Sequence, residues 1–101
     1  MSSLKVEIEM AGIVKIQVTD KTLSAEMDDG RTISLPVSWY PRLQNGTEAE
    51  RNNYRIIGGG SGVHWLELDE DISVEALLAG RRSNESQQSL KKWLIARNAS
   101  V

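Results

Sequence analysis

The chain has 101 residues, 40% hydrophobic and 26% charged, the composition of a soluble globular protein with a single core. It holds no Cys and one His, His64, which removes disulfides, thiolate chemistry, zinc fingers and multi-histidine metal sites from consideration. The formal net charge of -2 conceals an asymmetry: residues 1–75 hold 7 Lys and Arg against 13 Asp and Glu, whereas residues 76–101 hold 5 against 1.

The first third alternates with period 2. Val14, Ile16 and Val18 alternate with Lys15, Gln17 and Thr19; Leu23, Ala25 and Met27 alternate with Ser24 and Glu26; Ile33, Leu35 and Val37 alternate with Thr32 and Ser34. These spacings predict three half-buried strands in an antiparallel meander, broken by Asp20-Lys21 and by Asp28-Asp29-Gly30-Arg31, whose Asp-Gly pair accepts the positive φ of a tight turn. Residues 4–8 suggest a further strand, with Ala11-Gly12 as the break. Pro36 limits the third strand, since it cannot donate to a ladder. Trp39, Tyr40 and Leu43 stand at helical spacing around Pro41, which is tolerated in a first turn, so residues 38–43 predict a short helical turn ended by Gln44-Asn45-Gly46. Thr47-Glu48-Ala49-Glu50 fits a capping box and predicts a short polar helix over residues 47–53.

Tyr54-Arg55-Ile56-Ile57 returns to strand character, as does the apolar run over residues 63–68, with the glycine-rich residues 58–62 between them. Ser73 reads as a helix N-cap, Ile72 and Leu77 as a hydrophobic staple, and Gly80 as the C-terminal stop. After a polar link over residues 81–83, Asn84 to Gln87 resembles a second capping box that opens a separate C-terminal helix with a narrow stripe of Leu90, Trp93 and Leu94. The expected architecture is α+β: a small, mostly antiparallel sheet, made of a meander plus a second strand pair, with short helices and a C-terminal helix. Residues 1–80 would form the α+β body and residues 81–101 a basic helical extension.

Few residues carry obvious chemistry. The glycine run lacks the following helix that a phosphate loop requires, so a hairpin or bulge fits better. The acidic residues Glu67, Asp69, Glu70 and Asp71 break the calcium-loop pattern at Ile72 and Leu78, and the plainer reading is that they complement the positive end of the following helix. A weak magnesium site is the alternative. A triad of Ser61, His64 and Asp69 lacks a nucleophile elbow, and a strand histidine beside Trp65 reads as structural. No catalytic, cofactor-binding or metal-binding residue is therefore expected, and the chain reads as a non-enzyme. The basic segment with Arg81, Arg82, Lys91, Lys92 and Arg97 around Trp93 suits nucleic acid or a protein interface, and Trp with Arg favours the protein. No apolar run approaches the ~18 residues of a membrane span, and Met1-Ser2-Ser3-Leu4 opens no signal peptide, which points to the cytoplasm.

Four pieces in order carry a family resemblance: Asp29-Gly30-Arg31; Pro36-Val37-Ser38-Trp39-Tyr40-Pro41-Arg42-Leu43; Glu50-Arg51-Asn52-Asn53-Tyr54-Arg55-Ile56; and Gly62-Val63-His64-Trp65 followed by Leu68-Asp69-Glu70-Asp71-Ile72-Ser73-Val74-Glu75-Ala76-Leu77-Leu78. Over about residues 14–80 the chain resembles the bacterial family catalogued as domain of unknown function 2442. The resemblance implies an α+β domain, found alone or ahead of a helix-turn-helix, often encoded beside a small protein of domain of unknown function 4160 in pairs proposed as toxin-antitoxin-like systems. This chain would resemble the antitoxin-side partner, although a helix over residues 84–97 is too short to supply a helix-turn-helix.

Trp39, Tyr40, Arg42, Arg51, Tyr54, His64, Trp65 and Asp69 are then either a recognition surface or a satisfied internal network in which Arg42 or Arg51 bridges Asp69 and Asp71. The expected function is a non-enzymatic interaction protein, antitoxin-like, whose partner is a small, toxin-like protein from a neighbouring gene. The alternative is a nucleic-acid or operator binder using Arg81, Arg82, Lys91 and Lys92. A homodimer becomes an option if the Trp93 stripe finds no groove on its own chain.

Overall fold

In the computed structural model, which describes residues 11–99, the alternating first third forms β1 (Ile13–Val18), β2 (Thr22–Met27) and β3 (Thr32–Pro36). The three pair antiparallel in the order β1-β2-β3, the expected meander. The strand expected over residues 4–8 lies outside the described residues. Gly30, at φ 93°, closes the β2–β3 turn, where Arg31 N–H and Nε both donate to the Asp29 carboxylate.

The alternation of β1 differs from the expected one. Its register slips between Ile13 and Lys15, a β-bulge that places an extra residue on this strand. Ile13 and Ile16 consequently both face the core, and Val14, expected inside, is 56% exposed. Beyond the bulge the period-2 order resumes, with Val18 inside.

Pro36 ends β3 and leads into a 3-10 turn over Val37–Trp39, followed by α1 (Pro41–Gln44) with Pro41 in its first turn. Next comes α2 (Glu48–Asn52). Its capping box is complete: the Thr47 hydroxyl accepts from Glu50 N–H at 3.1 Å while Glu50 Oε1 accepts from Thr47 N–H at 2.8 Å.

A second antiparallel meander follows: β4 (Tyr54–Ile57), β5 (Gly62–Trp65) and β6 (Glu70–Ser73) in that order. The expected strand pair thus has a third member. β6 buries only Ile72, so its sequence carries almost no apolar alternation. The acidic residues expected to cap a helix instead occupy a turn and this strand. Helix α3 (Val74–Ala79) starts only after it, with the Ser73 hydroxyl accepting from Ala76 N–H and Gly80 closing the helix at φ 67°.

The two sheets share one core. Leu23, Ala25 and Met27 from the first and Val63, Trp65 and Ile72 from the second belong to one buried cluster, with Val37, Tyr40, Leu43, Leu68 and Leu77 filling the space between. A backbone bond stitches the sheets directly, Ile13 N–H to Gly60 O at 2.8 Å, while Val74 N–H to Ser61 O at 2.8 Å extends the β5–β6 pairing within the second sheet. The approach is close enough that Gly60 is obligatory. A Cβ there would lie 3.0 Å from Gly12 Cα and from the Ile13 N and O, at a φ of 107°.

The last element is α4 (Gln87–Ala99). It begins later than expected: Ser86, not Asn84, caps it, accepting from Ser89 N–H at 3.0 Å. The preceding residues are held otherwise, with Ser83 N–H donating to Trp39 O and Glu85 N–H to the Ser83 hydroxyl.

Gly60→Ala should lower stability by about 2 kcal/mol or more, since backbone atoms must move and a left-handed φ must be tolerated. Gly59→Ala, at φ 65° with nothing within 4 Å of the new Cβ, should cost only about 1 kcal/mol. Urea midpoints of the two variants check the difference; equal losses would contradict the close packing of the β4–β5 turn on β1.

Candidate functional site

Arg42, at the start of α1, reaches across to the far end of the chain. Its Nε donates to both Glu85 carboxylate oxygens at 2.9 and 3.0 Å and its Nη2 donates to Glu85 Oε2 at 2.7 Å. Its Nη1 donates to Leu68 O at 3.1 Å and lies 3.9 Å from Asp69 Oδ2. The Arg42 Cζ also sits 5.0 Å from the centroid of the Trp93 ring on α4. Arg97, one turn further along the helix, lies 4.6 Å from the same centroid and donates to Glu50 of α2 at 2.8 and 3.0 Å. One indole is thereby flanked by two guanidinium groups, each also bound to a glutamate.

Arginine contact shifts both carboxylates the same way. Hydrogen bonds from Arg97 hold the Glu50 carboxyl down at about 2. Those from Arg42 lower Glu85, and the two arginines are raised in turn. These pairs fasten α4 to the body. A 13-residue helix is marginal alone, and of its apolar side chains Trp93 is the one packed against the core. The expected stripe is split: Trp93 turns inward, whereas Leu90 and Leu94 are half-buried and lie along a furrow whose walls all belong to α4.

A cleft of about 580 Å³ opens where β6, α3 and residues 81–89 meet, walled by Arg42, Glu70, Glu85, Arg81, Arg82 and Ser73 among others. Glu70 is half-buried there, and its carboxylate makes no hydrogen bond or ion pair among the described residues. Burial first, then repulsion from Glu85, Asp71 and Asp69, raises its pKa to about 7 against the opposing pull of Arg42. Glu70 can thus exchange a proton near neutrality. No nucleophile stands ready beside it, because the Ser73 hydroxyl is engaged as the α3 cap and Ser89 donates to Glu85 at 2.8 Å.

The eight residues expected to form either a recognition surface or an internal network are spread between core and surface. Tyr40 and Trp65 are core residues, 2% and 0% exposed, so of the two alternatives, recognition surface or internal network, these two side chains fit the second. The Tyr40 hydroxyl donates to Arg81 O, and Trp65 Nε1 donates to Arg51 O. Tyr54 stands against Trp65, and its hydroxyl accepts from Ile16 N–H of the first sheet. Of Arg42 and Arg51, the two candidates for bridging Asp69 and Asp71, Arg42 is the one near Asp69, while Arg51 caps α1 by donating to the Leu43 and Gln44 carbonyls. The His64 Nδ1 lies 2.6 Å from Asp71 Oδ1, its cross-strand neighbour, and neither Ser61 nor Asp69 bonds to it. Trp39 lies under Arg82, 4.8 Å from its Cζ. Asp69 is exposed, in a left-handed conformation with φ 50°.

Arg81, Arg82, Lys91 and Lys92 are all exposed. Among the described residues no group of three or more His, Asp or Glu side chains is placed to hold a metal ion. None of the helices among them is long and apolar enough to cross a membrane. The roles of Glu85, Glu50 and Glu70 were missed from sequence. For Glu85 a signal existed, since it is the sole acid in residues 76–101.

Two expectations follow from these charges. Arg97→Ala should free the C-terminal half of α4, with loss of amide-exchange protection there and a stability change of about 1–2 kcal/mol; retained protection would mean that Trp93 alone holds the helix. Glu70 gives a pH dependence of definite sign. Its folded pKa of about 7 lies above the ordinary 4.5, so the stability it permits is full below about pH 4.5 and falls as pH rises through 7. Glu70→Gln should match the parent near pH 4 and exceed it at pH 8 by the order of 1 kcal/mol after solvent screening. Parallel melting curves across pH 4–8 would show Glu70 to be unperturbed.

The fold itself is shared. A protein of unknown function from Rhodospirillum rubrum superposes with a TM-score of 0.66 at 22% identity, over 78% of this chain and 98% of that one. An uncharacterised protein from Chromobacterium violaceum gives 0.62 at 20% identity, over 90% and 82%. No curated protein matches the sequence. The family model described as a protein of unknown function, DUF2442, matches residues 13–83, from the first residue of β1 to the link that precedes α4. With both meanders, the short helices between them and α3 inside that match, the chain belongs to the DUF2442 family.

Proposed function

We propose that this protein is a non-enzymatic interaction protein, antitoxin-like, which binds a small protein from a neighbouring gene through its C-terminal helix. The observation that carries the reading is the attachment of α4. The helix lies beyond the family match at residues 13–83, yet it is fastened to Arg42 and Glu50 inside that match. Arg42, Arg97, Glu50 and Glu85 are engaged in that attachment, as two arginine–glutamate pairs. What they support is a rigidly presented surface, the requirement of a binding module.

A nucleic-acid binder is the second reading. It rests on the exposed Arg81, Arg82, Lys91 and Lys92, of which Arg82 also lies over Trp39, whereas Arg97 is paired with Glu50 and contributes less. Co-expression with each neighbouring-gene product, followed by size exclusion, separates the two. The interaction reading expects a stable stoichiometric complex, lost when α4 is detached by Trp93→Ala with Arg97→Ala. A salt-sensitive DNA or RNA gel shift, abolished by replacing Arg81, Arg82, Lys91 and Lys92 with Ala and accompanied by no co-purifying protein, would overturn it in favour of the second.

A further inference from the structure

Helix α4 meets the rest of the chain along a seam that is not close-packed. Two cavities of about 580 and 630 Å³ open along it, with Arg42, Asp69 and Ser89 in the walls of both. Of the apolar side chains on α4, Trp93 alone packs against the core. The rest of the attachment is polar: Arg97 donates to Glu50 and, at 3.4 Å, to Asn45 O, while Arg42 donates to Glu85 just ahead of the helix. Residues 81–86, with neither helix nor strand, join α4 to α3, and Gly80 before them takes a left-handed φ of 67°.

From this arrangement we propose that α4 is an exchangeable arm, and that the socket formed on the body by Arg42, the Asn45 carbonyl and Glu50 also takes the α4 of a second copy, giving an arm-swapped dimer. This goes beyond the interaction reading and does not depend on it, since that reading uses the closed chain and the swap uses its open form. The contacts transfer intact: Glu85, Trp93 and Arg97 travel with the arm, whereas Arg42 and Glu50 stay on the body. Opening withdraws a single indole from the core, so the closed and open forms differ by little apolar burial.

The socket is selective for its own arm. It asks for an acid opposite Arg42, an aromatic ring between the two guanidinium groups and a guanidinium opposite Glu50. Glu85, Trp93 and Arg97 supply these with the acid eight residues before the indole and the arginine four after it, and neither Trp39 nor Trp65 has that pattern around it. A nucleic acid answers Arg42 but has no cation for the Glu50 carboxylate. Tethering keeps exchange rare in the parent chain. The short link holds the arm beside its own socket at an effective concentration of the order of millimolar, so the parent is expected to be monomeric at micromolar concentration and to swap when closure in cis is blocked.

Two full-length variants separate arm from socket. Arg42→Ala spoils the socket and leaves the arm; Trp93→Ala with Arg97→Ala spoils the arm and leaves the socket. Each alone should sediment as a monomer with α4 unprotected in amide exchange. Mixed, they hold one good socket and one good arm between them and should form a 1:1 heterodimer with a Kd of the order of 10 μM, weakened about fivefold or more in roughly 1 M salt. Protection should return to α4 of the Arg42→Ala chain and not to that of its partner. Should Arg42→Ala lose protection in its sheets, Glu50→Ala takes its place as the spoiled socket. No heterodimer from two chains that keep their sheet protection overturns the proposal. So does self-association of either variant alone, or a heterodimer in which α4 of the socket variant stays unprotected, because the contact then lies elsewhere.

Discussion

The guanidinium of Arg42 is the point on which the arrangement of the C-terminal third depends. It holds the Glu85 carboxylate through three short contacts, the carbonyl of Leu68 through a fourth, and one face of Trp93 through its plane. Three separate pieces of chain are fixed by one planar group: the turn before β6, the link before α4, and α4 itself. Lysine could not do this, because the geometry needs a rigid fork with donors on several sides and a flat surface for stacking. With Arg42 itself largely shielded from solvent, each of these contacts is stronger than an open surface pair.

The same concentration of charge explains the strained chemistry beside it. Glu85, Asp71 and Asp69 all repel Glu70 beside Arg42, and the Arg42 guanidinium forms its close pair with only one of these carboxylates. Glu85 takes the close contact and is lowered, whereas Asp71 turns to His64 and Asp69 to solvent. Glu70, facing the cleft without a partner, is raised to about 7. Its opposite is Glu50, at about 2 because Arg97 serves it directly. The pH range in which the molecule is most stable is bounded by these two: protonation of Glu50 and Glu85 loosens α4 from the acid side, and ionisation of Glu70 adds repulsion from the alkaline side.

Local chemistry was legible in the sequence wherever a residue acts on its immediate neighbours. The Asp-Gly turn, the Thr47 capping box, Pro41 in a first turn, the Ser73 cap and the Gly80 stop all stand where short-range rules put them, and the first meander follows from period-2 alternation. What escaped was decided by contacts distant in sequence. The β1 bulge that exposes Val14 answers to the approach of Gly60, forty-odd residues away. Strand β6 exists because β5 offers it an edge, not because Glu70-Asp71-Ile72-Ser73 resembles a strand. The large aromatic and charged residues of the family motif invite a surface reading, yet Tyr40 and Trp65 lie inside with their polar ends bonded to backbone carbonyls. Residue type and spacing say which side chains are able to recognise something; only the tertiary contacts say which are already engaged.

Attachment by charge has a consequence for how α4 can be used. A helix held by apolar area resists salt and pH and costs hydrophobic free energy to move, whereas one held by two arginine–glutamate pairs and one indole is sensitive to ionic strength and to the protonation of its carboxylates. Because Glu50 and Glu85 sit on the body and the link, and the guanidinium groups beside the indole are those of Arg42 and Arg97, screening salt or protonation of either carboxylate loosens α4 without disturbing the apolar core.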